Sequence, residues 1–209
     1  MPRIELISPV AICRWPHLNE PDFQWKEEGE FNVNLIISKD WKEGAAYIDK
    51  INEMCNEWQE KCTAEAGGEL NSFTSPVRTD KEDDTNWEVV FKMTSSGTEK
   101  STGRQWDQRP TLINAKTPDK EFNDIIGSGS HLRIGGQPYL WFNKSKGKRA
   151  GIKLQPRIIT VYRCVSPEMK ASALESMGLT EQETSYVVDG VKYDLTEDDK
   201  NDHVSDQEF

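Results

Sequence analysis

The sequence predicts a mainly β domain: a small closed barrel carrying one amphipathic helix and followed by a flexible acidic C-terminal tail. Three observations predict it. Short apolar runs at period two recur between Gly-rich turns from residue 87 onward, the pattern of a small barrel rather than of a sandwich of evenly spaced strands. A single early stretch, residues 42–64, keeps a helical period. Thr196 to Phe209 is acidic and has no period at all.

Taken in order, Phe31-Asn32-Val33-Asn34-Leu35-Ile36-Ile37 alternates apolar and polar residues and reads as a half-buried strand. The period then changes. Ile48, Ile51, Cys55, Trp58 and Cys62 recur at helical spacing, with Asp49, Glu53, Glu57 and Glu60 off that stripe, and Gly67-Gly68 ends the helix. Residues 67–86 are polar and read as a loop containing Asp80-Lys81-Glu82-Asp83-Asp84. Trp87, Val89, Phe91 and Met93 alternate as a strand. Ser95-Ser96-Gly97 turns the chain, and the stretch to Gly103 is a long hairpin tip. Thr111–Ala115, Leu132–Ile134, Tyr139–Phe142, Ile152–Leu154 and Arg157–Tyr162 are further strands, separated by Gly135-Gly136 and by Asn143–Arg149. Beyond residue 165 come a weak helical stretch, Pro167 to Met177, and a short hairpin, Tyr186–Tyr193, on an Asp189-Gly190 turn. The expected division is a barrel over residues 1–165, a partly ordered extension over 166–195 and a disordered acidic tail over 196–209.

The chain has 209 residues, 36 acidic against 26 basic, for a net charge of −10. Its pI near 4.9 hides the distribution. Residues 1–90 hold 19 acidic and 9 basic side chains, residues 91–164 hold 5 and 14, and residues 165–209 hold 12 and 3. Within the middle block, residues 131–164 carry eight Lys or Arg and no Asp or Glu. A basic block inside an acidic protein is an anion-binding footprint. No stretch approaches the roughly 18 apolar residues of a membrane span. The N-terminus places Arg3 and Glu5 where a signal peptide would be apolar, so secretion is not expected. Four scattered cysteines (13, 55, 62 and 164) fit free thiols in a reducing cytoplasm.

Catalytic chemistry does not assemble. His17, His131 and His203 have no partner at metal-pair spacing, and neither a nucleophile elbow nor a phosphate-binding loop with its lysine occurs. Asp198, Asp199, Asp202 and Asp206 resemble a calcium loop only faintly, lacking its glycine and closing glutamate. Asn143-Lys144-Ser145 is a formal glycosylation sequon without a signal peptide. No catalytic residue, cofactor or metal is therefore expected. The alternative enzyme reading is a Mg²⁺-dependent nuclease using Asp80, Glu82, Asp83 and Asp84. A further alternative is an adaptor that binds only proteins.

What does assemble is a set of cations interleaved with aromatics: Arg133, Tyr139, Trp141, Phe142, Lys144, Lys146, Lys148, Arg149, Lys153 and Arg157. Single-stranded nucleic acid is held by cations along its phosphates and by flat side chains on which bases stack. Duplex DNA offers no open base face, so a phosphate reader would not need the aromatics. At period two, Leu140 and Phe142 share one face and Tyr139 and Trp141 the other. If the first pair faces the interior, the second points outward beside the basic loop. Lys92, Lys100, Arg104, Arg109 and Lys116, with Trp106 among them, form a second candidate wall.

Glu30–Leu35 with the following helix, Phe91-Lys92, Asn114-Ala115-Lys116, Ile125–Arg133, Pro138-Tyr139-x-Trp141 and Gly151–Gln155, in this order and ending on Phe209, resemble the single-stranded DNA-binding proteins of phage replication, the podophage type and its relatives. The resemblance runs through most of the chain. It implies a five-stranded OB-fold that coats single-stranded DNA without catalysis in replication, recombination and repair, in the cytoplasm of an infected bacterium. It implies that Tyr139 and Trp141 stack bases. It also implies that the tail (Asp198, Asp199, Asp202, Asp206, Glu208 and Phe209) docks replication proteins such as a DNA polymerase or a helicase/primase. A homodimer is a further implication, although the tail here is shorter and less acidic and the Asp189-Gly190 hairpin precedes it. The basic insertion Lys144–Arg149 is longer than the family pattern.

Overall fold

The computed structural model describes residues 6–145 and 148–166, together with the backbone of residues 185–188 and 191–194. Five strands close into a ring: β2 (Ala11–Asp22), β3 (Glu30–Ser38), β6 (Asn86–Thr94), β10 (His131–Asn143) and β11 (Arg149–Arg163). β2 pairs antiparallel with β3, β3 with β6 and β10 with β11. Two short contacts complete the ring: Leu154↔Phe91 joins β11 parallel to β6, and His131↔Ile12 joins β10 to β2. This is the OB-fold barrel expected from the sequence.

Its lining follows from period two. Phe31, Val33, Leu35 and Ile37 of β3 and Val89, Phe91 and Met93 of β6 are all buried, as are Ile152 and Leu154 of β11. Helix α1 (Lys42–Ala66) lies against β3 and β11 and buries Tyr47, Ile48, Ile51, Cys55 and Cys62. Fully burying each isoleucine contributes about 1.5–3 kcal/mol. The helix ends where Gly67 adopts a left-handed conformation at φ 65°. Gly67 and Gly68 then donate to the carbonyls of Ala64 and Thr63 and satisfy two orphan acceptors. Burial pushes the pKa of the Cys13 thiol up to about 12, so it behaves as an inert core residue. No helix among the described residues is long and apolar enough to cross a membrane.

The accessory strands decorate the ring. β1 (Leu6–Ile7) pairs with β10, β4 (Ser72–Thr74) runs beside the start of β11, and β5 (Val77–Thr79) pairs with β6. β7 (Ser96–Thr98) and β8 (Gln105–Asp107) form a two-stranded ribbon at the expected hairpin tip. β9 (Thr111–Asn114) runs parallel to the far end of β11. β12 (Ser185–Val188) pairs with β13 (Val191–Asp194), the hairpin anticipated on Asp189-Gly190.

Three sequence expectations are corrected. Residues 67–86 contain β4 and β5 rather than a strandless loop. Gly135-Gly136 does not separate two strands; it lies inside β10, at a register shift where Gly135 pairs with Ile158 and Gly136 with Pro156. A Cβ on Gly136 would sit 3.0 Å from the Phe91 ring, a tight approach that favours glycine at that position. β2 was not anticipated, because Pro16 and Pro21 and the register shift after Arg14 break its alternation. The stretch 167–177 and the tail 196–209 lie outside the described residues.

Gly151 sits in a slot between β4 and Trp141. A Cβ there would meet the Thr74 carbonyl oxygen at 2.7 Å and the Trp141 ring at 2.8 Å. Overpacking of this kind typically costs about 1–3 kcal/mol. Gly151→Ala should therefore lower the urea unfolding midpoint by a corresponding amount, and an unchanged midpoint would show that both β4 and Trp141 are free to give way.

Candidate nucleic-acid interface

The β10–β11 hairpin carries the candidate site. Past Leu154 it projects beyond the ring: among the described residues, β10 pairs over 137–143 with β11 alone. Residues directly opposite in an antiparallel pair share a face. Because Ala150, Ile152 and Leu154 are buried inward, the outer face is Gln137, Tyr139, Trp141 and Asn143 on β10 against Gln155, Lys153, Gly151 and Arg149 on β11.

Tyr139 is 52% exposed and lies directly opposite exposed Lys153. A flat ring beside an ammonium on an open face is the arrangement that can stack a base and hold its phosphate. Trp141 lies opposite Gly151, whose missing side chain leaves room for the indole. It is half-buried, with a buried Nε1 that meets no acceptor among the described residues. The Trp58 Nε1 donates to the Trp141 carbonyl at 3.3 Å and ties the strand to α1. Leu140 departs from the simple alternation. It belongs to the inward row but is 44% exposed, because the hairpin has left the ring at that point.

At the hairpin tip, Lys144 and Arg149 are exposed. Lys148 is half-buried at φ 45° with its Nζ beside Gly68, near the carbonyl end of α1, where a cation is favourably placed. Lys146 lies outside the described residues. The other candidates scatter. Arg133 stacks on Tyr162 at 5.5 Å and stands six residues from Tyr139, about 20 Å along an extended strand. Lys116 follows β9, at the same remote end. Lys92 is exposed and 3.5 Å from Glu30. Lys100, Arg104 and Arg109 are exposed on and around the β7–β8 ribbon, where Trp106 lies over Gly97. The cleft beside Trp106, about 660 Å³, is lined by Glu27, Glu28 and Asp107 and is acidic rather than basic.

Two groups of side chains escaped the sequence reading. Arg157, which that reading placed only among the cations, proves to be the extra residue of the β10–β11 register shift. Its guanidinium donates to Gln137, Gln155 and Gln108. Phe23 and Trp25, on the β2–β3 loop, are 62% and 82% exposed. Two aromatics in a short polar segment behind Pro21 and before Gly29 were the available signal.

No family model matches the chain, and no curated protein matches it by sequence. Solved structures do match. One is gp2.5, a single-stranded DNA binding protein encoded by bacteriophage T7. It has a TM-score of 0.63 at 18% identity, over 77% of this chain and 92% of its own. The fold is that of phage single-stranded DNA-binding proteins. The single-stranded DNA-binding protein from bacteriophage Enc34 in complex with ssDNA matches at TM-score 0.51 and 16% identity, over 77% of this chain and 87% of its own.

The acidic segment 80–84 is held within the barrel by structural contacts. Arg14 Nη1 donates to both carboxylate oxygens of buried Asp80 at 2.8 and 2.9 Å. Asp80 also accepts the Glu82 N–H, and Asp83 accepts from Thr85 and Asn86. Nearby, buried Glu88 accepts from Asn34 at 2.6 Å and from Arg78. Among the described residues no three His, Cys, Asp or Glu side chains are grouped to hold a metal ion. Removing one partner of a largely buried pair costs up to about 3–5 kcal/mol, less where the survivor is partly exposed as Arg14 is. Asp80→Asn should therefore lower thermal stability while leaving oligonucleotide affinity unchanged. Equal stability with lost nucleic-acid processing would return the carboxylates to a catalytic role.

Proposed function

We propose that this protein binds single-stranded DNA without sequence preference, coating and protecting it in phage replication and recombination, and that it does so without catalysis. The observation that carries the reading is the Tyr139–Lys153 pair. An open aromatic ring and a cation stand side by side on a projecting hairpin whose strands, residues 131–164, contain no carboxylate. The resemblance to phage single-stranded DNA-binding structures supports it through the fold.

In this reading Tyr139 is the main stacking platform and Trp141 presents the part of its ring that Gly151 leaves uncovered. Lys144, Lys146, Arg149 and Lys153 hold the phosphates, Lys148 does so while bracing the helix end, and Lys92, Lys100, Arg104, Trp106 and Arg109 flank the strand. Arg133 and Lys116 serve at the remote end. Stacking contributes about 1–3 kcal/mol per base, so Tyr139→Ala should weaken oligonucleotide binding about 5- to 150-fold. Each lost phosphate contact should flatten the salt dependence by about 0.7 on a log–log plot. Neutralising Lys144, Arg149 and Lys153 together should therefore remove a slope of about 2. An unchanged affinity and slope in both variants would leave the protein-only adaptor as the better reading.

The tail adds a second element. Glu197, Asp198, Asp199, Asp202, Asp206 and Glu208 oppose a single Lys200 before Phe209. A tethered segment typically has an effective concentration near millimolar, so the tail competes with DNA for the basic hairpin. When displaced, it offers a replication protein, such as a polymerase or helicase, an acidic strand with an aromatic anchor. Deleting residues 196–209 should tighten DNA binding at low salt, with the gain shrinking as screening rises. Phe209→Ala should leave DNA affinity intact and remove only partner recruitment. A truncation that binds no tighter at low salt would rule out self-competition.

A further inference from the structure

We propose that the C-terminal hairpin, β12 with β13, docks on β2 over the indole of Trp15, and that this contact keeps the hairpin folded and fixes where the acidic tail leaves the barrel. The inference does not depend on what the barrel binds.

Trp15 breaks two local rules at once. Its backbone takes φ 48°, a region that bulky residues enter only at a cost in strain. The next residue is Pro16, which ordinarily drives its predecessor to extended backbone. The conformation is nonetheless held, because Trp15 N–H donates to Ser128 Oγ at 2.9 Å inside the register shift between Arg14 and His17. Nor does the strain serve the core. Trp15 is 54% exposed, and it is the only large hydrophobic side chain of β2 turned out in this way. Strain maintained at an exposed aromatic points to a contact that the indole makes on the surface.

The apolar surface continues onto the next segment. Asn19 Nδ2 donates to the Asp124 carbonyl at 2.8 Å, and Ile126 N–H donates to Asn19 Oδ1 at 3.0 Å. Residues 124–128 are thereby laced along β2, and Ile125 among them is exposed.

The hairpin has the complementary composition. Tyr186 pairs with Tyr193 and Val188 with Val191. Paired residues share a face, so one face of the ribbon belongs to these four residues alone. Ser185, Val187, Lys192 and Asp194 belong to the other. An isolated two-stranded hairpin is at best marginal in water, so a ribbon with one wholly apolar face needs a second layer. β13 lies beside β2, which supplies that layer.

Chain length allows the docking within one molecule. Ile12 of β2 and Arg163 of β11 both pair with His131, so β11 ends two strand spacings from β2, about 10 Å. The eighteen residues 167–184 can span up to about 60 Å, far more than the return requires. With the hairpin docked, residues 195–209 start from β2 and reach at most about 50 Å from it.

Native-state hydrogen exchange on the full chain tests the contact. The amides of Tyr186 to Val188 and of Val191 to Tyr193 should be protected, and Trp15→Gly should speed their exchange at least about tenfold. The Val33 and Leu35 amides of the barrel should stay protected, because glycine accepts φ 48° without strain. If glycine loosens the barrel, Trp15→Ala takes its place. Trp15→Phe should retain most of the protection. Tyr193→Ala should also release the hairpin, and combining it with Trp15→Gly should do no more than either change alone, as residues that share one contact are not additive. Unprotected hairpin amides in the full chain overturn the proposal. So do protection that survives loss of the indole and fully additive effects in the double variant. Protection that vanishes on dilution overturns it as well, and places the hairpin on β2 of a second copy.

Discussion

The arrangement depends on one constraint, the way β10 and β11 share a single long pairing. Over their distal halves they close the barrel, and over their proximal halves they leave it. The register shift at Gly135-Gly136 against Pro156-Arg157 divides the two regimes. Beyond it, among the described residues, β10 pairs with β11 alone, while β11 keeps Leu154↔Phe91 and its parallel pairing with β4. With β10 free on its other side, Tyr139 and Lys153 stand clear of the core while Ile152 and Leu154, one residue from Lys153, remain buried in it. Without the bulge the pleat would run unbroken, and Arg157 would have a place in the ladder rather than a side chain aimed across three glutamines.

Elements with one strong period were legible in the sequence, and the structure shows where that legibility stopped. The alternation of Phe31 to Ile37 and the helical stripe from Ile48 to Cys62 report a face buried along its whole length, so the pattern survives translation into structure. β2 does not behave this way. Its inward residues, Ala11, Cys13 and Leu18, are buried, but the register shift between Arg14 and His17 and the positive φ of Trp15 put them out of phase with one another. β4 and β5 are three residues each, too short for any period to emerge. Gly135-Gly136 looked like punctuation because glycine usually is. Here Gly136 answers a packing demand from Phe91, which lies more than 40 residues earlier in the chain.

The candidate site is legible where chemistry is concentrated along the chain and illegible where it is assembled from separate segments. The charge imbalance of residues 131–164 pointed directly to the hairpin. Period two placed Tyr139 and Trp141 on a common face, which the register confirms. It could not say that Gly151 would let the Trp141 indole sink against the barrel while Tyr139 stayed open, since that difference is set by a partner across the ladder. Nor could local pattern weigh the acidic segment 80–84. Its carboxylates look available until Arg14, 66 residues away, is seen to occupy Asp80.

Over residues 137–143 β10 has, among the described residues, no strand partner but β11, and its other edge carries a cost. An open strand edge is a template for pairing with any other chain, a second copy of the same protein included. Over residues 137–143 that edge would invite copies to knit into sheets instead of lying side by side. Pro138, with no N–H to offer, interrupts it, and the lysine-bearing tip ends it with charge. The strand thereby extends past the ring and stays too irregular to recruit its own kind into an aggregate.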